Sequence, residues 1–89
     1  MRSYMNLLGV VYDGMKDSNM LYDYAEDARE EKNEKLADWF TAKADERVQR
    51  TEQEWSDAKG VLEDAGCCDT MMEHIEHDML KLKDRKAKR

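Results

Sequence analysis

His74 and His77, with Glu73, stand on the stretch "EHIEHD" at spacings of three and four residues. Side chains at that spacing share one face of a helix and can hold zinc or another divalent ion. A site needs further ligands, and the nearby donors are Glu76, Asp78 and a cysteine. The bland alternative is a solvent-exposed helix face opposite Ile75. Cys67 and Cys68 are adjacent, and neighbouring cysteines rarely bridge without strained geometry. They are expected to be free thiols, small apolar residues in an interhelical turn. A redox role would need a nearby base or a C-x-x-C pair, which the stretch lacks. No Gly-rich phosphate loop and no Ser/His/Asp set can be singled out. With 21 acidic residues in 89, two close carboxylates arise by chance and carry no catalytic weight.

The elements that must position these residues are helical. The chain has no proline, is 40% charged and 40% hydrophobic, and reads as one domain spanning 1–89. An apolar stripe runs Tyr4, Leu7, Leu8, Val11, Met15, Ser18, Leu21, Tyr22, Ala25, Ala28, with Ser3 as N-cap. It predicts a helix over about 3–31, roughly 40 Å long. A break at Asp13-Gly14 is the alternative, since that dipeptide favours turns. "EEKNEK" is the loop candidate, with Asn33 suited to a left-handed conformation. A second stripe, Leu36, Phe40, Ala44, Arg47, Thr51, Trp55, Ala58, Leu62, Ala65, predicts a helix over about 34–65. Trp39, Val48 and Val61 flank it. Gly66 fits the position that ends this helix. Thr70 and Glu73 form a capping-box pattern opening a third helix over about 70–86, striped by Met72, Ile75, Met79 and Leu82.

The expected fold class is therefore all-α, an antiparallel hairpin of two long helices plus a shorter third, in a helical-bundle architecture. The third helix cannot cover the whole hairpin, so part of the seam is covered by another chain or left exposed. A homodimer is the economical completion for so small a core.

"YDYAEDAREEKNEKLADWFTAKADERVQR" resembles the helical hairpin of the ferritin-like superfamily, in particular its rubrerythrin type. The similarity rests on Ala25, Ala28, the "AREE" at 28–31, the Lys32-Asn33 loop, and Leu36, Ala37, Phe40 and Ala44, and it covers roughly residues 11–55. A single tetratricopeptide-like hairpin would share some of these features, but no second repeat is present. The resemblance implies a di-iron site built from a glutamate on the first helix and a Glu-x-x-His pair on the second. The matching positions here are Gly14, Arg47 and Arg50. Glycine has no ligand atom and arginine presents donors only. The resemblance thus implies the scaffold and argues against the activity; no cofactor and no enzymatic function are expected.

Folding the hairpin about residues 32–33 puts Asp17 level with Arg47 and lets Asp13 approach Arg50. Salt bridges are expected where related proteins hold metal, and breaking such a pair, if buried, would cost roughly 3–5 kcal/mol. Alternatively the two arginines reach the surface or face a partner chain.

Charge is uneven. Residues 1–80 carry 9 basic and 20 acidic side chains, and "KLKDRKAKR" at 81–89 carries 6 basic and 1 acidic. The acidic body disfavours nucleic acid. The basic tail reads as a frayed, solvated helix end complementing the helix dipole. No apolar run approaches a membrane span, and the free cysteines fit a reducing compartment, so a cytoplasmic location is expected. Met71, Met72, Met79, Trp39 and Trp55 are candidates for an interaction surface, since methionine and tryptophan suit adaptable interfaces. The functional expectation is a non-enzymatic, acidic protein acting through protein–protein interaction, most simply with itself. One alternative is a metal-binding ferritin-like relative with rearranged ligands such as Glu26, Glu30, His74 and His77. The other is a small acidic inhibitor, of the kind mobile elements encode, that occupies a basic groove.

Overall fold

The computed structural model describes residues 2–88. Among them are three helices and no strand: α1 (Arg2–Glu30), α2 (Glu34–Ala65) and α3 (Asp69–Lys88). α1 is continuous through Asp13-Gly14. Its first residue is Arg2, so Ser3 lies inside the helix and does not cap it.

The α1–α2 connection divides its work differently from the expectation. Lys32, not Asn33, takes the left-handed conformation, at φ 62°. Its amide donates to the Arg29 carbonyl at 2.9 Å, and the Asn33 amide donates to that of Ala28 at 2.8 Å, which satisfies the last carbonyls of α1. Asn33, at φ −100°, is instead the N-cap of α2, its side-chain oxygen accepting from the Leu36 amide at 3.2 Å. In so short a turn the asparagine oxygen does more as a cap acceptor than its backbone would in a left-handed bend.

α2 ends at Gly66, φ 64°, whose amide donates to the Glu63 carbonyl while Cys67 donates to Leu62. Cys68 follows at φ 70°, and its carbonyl accepts the first α3 bond from Met72 at 2.9 Å. α3 thus opens at Asp69, with Thr70 inside it, so the expected capping box is not used. This turn draws the Cys67 and Cys68 sulfurs together against the core.

The core runs along one seam. Leu8, Val11, Met15, Tyr22 and Ala25 of α1 meet Ala44, Val48, Trp55, Ala58 and Leu62 of α2, and Ile75, Met79 and Leu82 of α3 close it from one side. The buried stripe of α2 is Ala37, Thr41, Ala44, Val48, Thr51, Trp55, Ala58, Leu62. Leu36 and Ala65 are exposed, Phe40 is only half-buried, and Val48 takes the place expected for Arg47. The stripe rotates because small residues let the helices approach closely. A Cβ added to Gly14 would collide with the Thr51 hydroxyl oxygen. Beside it, the fully buried Ser18 hydroxyl donates back to the Gly14 carbonyl at 2.7 Å, and Thr51 does likewise to Arg47 at 2.8 Å.

The molecule measures 49 × 21 × 16 Å. α3, with 20 residues, spans about 30 Å and cannot match the 32 residues of α2. It packs along one side of the hairpin, from the α2–α3 turn to the level of Glu26.

Candidate interaction face

α3 is held to one side of the hairpin by polar contacts as well as by its apolar stripe. The Trp55 indole N–H donates to Glu76 Oε2 at 2.7 Å, and Lys59 Nζ lies 3.5 Å from the same oxygen. The Trp55 hydrogen bond, aided by the Lys59 charge, holds the Glu76 carboxyl below its ordinary pKa. Near the other end of α3, Arg85 donates to Asn19 Oδ1 at 2.9 Å, to Asp23, and to Glu26 at 3.2 Å, with its guanidinium 5.3 Å from the Tyr22 ring centroid. The basic tail, expected to fray, is therefore docked through Arg85. The nearby Tyr22 hydroxyl reaches Asp45 at 2.6 Å.

The opposite side of the hairpin has no third helix. A helix turns about 100° per residue, so the α1 positions facing away from α3 are Val10, Asp13, Asp17, Met20, Leu21 and Tyr24. On α2 they are Leu36, Trp39, Phe40, Lys43, Arg47 and Arg50, continuing to Val61. Of the nine large hydrophobics exposed among the described residues, six lie here: Val10, Met20, Tyr24, Leu36, Trp39 and Val61. Trp39 is the most open of these, at 54%. Near the turn the rings form a cluster. Phe40 lies 5.5 Å edge-on from both Tyr24 and Trp39, and Lys43 sits 5.4 Å from the Trp39 centroid. Beyond the cluster comes a charged band, where Arg47 Nη1 donates to Asp17 Oδ2 at 2.7 Å.

That band is where the resemblance would put a metal. Gly14 packs on Thr51, Arg47 pairs with Asp17, and Arg50 is exposed. The Arg47 and Asp17 side chains keep 32% and 42% of their surface in water. The expected pairing is present but half-exposed, so the cost argued for a buried pair does not apply and the pair is worth about 0–1 kcal/mol. Asp13 and Arg50 sit at one level of the hairpin without an ion pair between them.

Other expected sites fall apart. His74, His77 and Glu73 are exposed on α3, and among the described residues no three His, Cys, Asp or Glu side chains converge to hold a metal. Glu26 is engaged by Arg85, and Glu30 is exposed at the end of α1. Of the proposed interaction residues only Trp39 is open. Met79 and Trp55 are buried in the core because α3 seats on them, and Met71 and Met72 are half-buried against it. Leu21, Tyr24, Leu36 and Phe40 were missing from that set. The signal that could have found them is the helical level, which brings Tyr24 opposite Phe40 near the α1–α2 turn.

No family model matches the chain, and neither a curated protein nor a solved structure matches it. Among the described residues no helix is long and apolar enough to cross a membrane.

Proposed function

We propose that this chain is a non-enzymatic all-α interaction protein, a ferritin-like hairpin without a di-iron site, and that it works through the α1–α2 face opposite α3. One observation carries the reading: six of the nine large hydrophobics exposed among the described residues lie on that face, and four of them, Met20, Tyr24, Leu36 and Trp39, stand near the α1–α2 turn about the Tyr24–Phe40–Trp39 cluster. Scattered exposed apolar residues are ordinary, whereas a contiguous patch rimmed by charge marks a binding surface. Tryptophan and tyrosine at its centre suit a contact hot spot. The Gly14–Thr51 contact and the Asp17–Arg47 pair fill the ground a metal would need, which favours scaffold over catalyst.

A tagged chain carrying Trp39→Ser and Leu36→Ser should lose the proteins, its own untagged copy included, that the wild-type chain retains. Tyr12→Ser with Leu80→Ser, both exposed but off the face, should retain them. Equal retention by all three chains would overturn the reading.

A further inference from the structure

We infer that the occupant of this face is a second copy of the chain, packed about a two-fold axis parallel to the helices so that α1 of each copy lies against α2 of the other. The inference rests on the interaction reading above and specifies its partner.

Size comes first. The face is two helices wide, roughly 20 Å, on a molecule 49 Å long, so its footprint is on the order of 1,000 Å². A stable specific contact takes about 800 Å² from each partner. α3 already fills the other side, and only this side has the extent and the apolar residues to match.

Charge then selects the orientation. The band across the face is acidic on α1, at Asp13 and Asp17, while on α2 Arg47 and Arg50 form its centre, flanked by Glu46 and Glu54. Two hairpins can meet face to face about a two-fold axis in two ways. An axis lying across the helices sets α1 on α1 and α2 on α2. Centred on the band, it brings carboxylate to carboxylate and guanidinium to guanidinium, an arrangement that costs affinity. An axis along the helices sets α1 on α2 at the same level. Asp13 then faces Arg50 of the other copy twice, and Asp17 faces Arg47. The same operation lays Leu21 and Tyr24 on Trp39 and Phe40, apolar on apolar. It also gives Asp13 and Arg50, level with each other yet without a mutual ion pair in one chain, a use. The product is a four-helix bundle with one α3 on each outer side.

Sedimentation equilibrium of the purified chain tests this. The wild-type chain should be a dimer and Trp39→Ser a monomer of unchanged helicity. Asp13→Arg and Arg50→Asp should each weaken association roughly tenfold or more, because each creates two like-charge contacts. The double variant should regain most of that loss, as only residues that face each other can do. A wild-type monomer at every concentration overturns the inference; if Trp39→Ser still loses a retained protein of another kind, the interaction reading survives it. A dimer indifferent to the charge reversals overturns the parallel arrangement. Face substitutions without effect on either association or retention end both.

Discussion

Gly14 is the residue at which packing overrides helix propensity. In an open helix, Gly→Ala would stabilise by about 1 kcal/mol. Here the new methyl meets the Thr51 hydroxyl, which is tied to the Arg47 carbonyl. Gly14→Ala should therefore destabilise by about 1–3 kcal/mol in urea unfolding. In a Thr51→Ala background, where the space is open, the same change should be neutral or stabilising; an equal loss in both backgrounds would refute the close approach. Glu76 offers a second test. Its pKa is lowered in the folded chain, so the stability it supplies is present above the ordinary carboxylate value and is lost as pH falls through the folded one. Glu76→Gln should flatten the acid side of the stability–pH profile while leaving helicity at neutral pH unchanged. An unaltered acid slope would mean that the Trp55 hydrogen bond does not favour the ionised carboxylate.

At the scale of elements, α3 is the lid of the core. Ile75 is fully buried, and Ile75→Ala should cost about 2–5 kcal/mol, a large part of the stability of a chain this size. Thermal unfolding followed by circular dichroism measures it, and a shift no larger than that of Leu80→Ala, an exposed position, would show that α3 does not seal the seam. α3 also explains what could and could not be read from the sequence. The three helices were legible because their apolar periods persist with few breakers, and the ends of α2 fell where Asn33 and Gly66 stop the chain. The α1 and α3 stripes were legible for the same reason. The α2 stripe was legible at Ala44, Thr51, Trp55, Ala58 and Leu62 but not in its first turns, because hydrophobicity weights Leu36 and Phe40 above the Ala37 and Thr41 that actually meet α1. Those large side chains are left out because α3 packs on the other side of the hairpin, which no single-helix period can reveal. Arg85 was misread for a related reason. A run of cations looks solvated until the tilt of α3 decides which one lands on Asp23 and Glu26.

For the whole molecule, a two-fold assembly links stability to concentration. The thermal midpoint of the wild-type chain should rise with protein concentration, and that of Trp39→Ser should not, because only the dimer is favoured by mass action. A concentration-independent midpoint at levels where sedimentation shows a dimer would mean that the contact adds nothing to folding. The Arg85 clamp has a further consequence, for the order in which the chain assembles. The α1–α2 contacts close short spans, 23 residues for Tyr22 with Asp45 and 30 for Arg47 with Asp17, whereas Arg85 joins Asn19 across 66. Loop-closure entropy favours the near pairs first. The hairpin should zip from its Lys32-Asn33 turn outward, and the tail of α3 should be the last segment to arrive and the first to peel away.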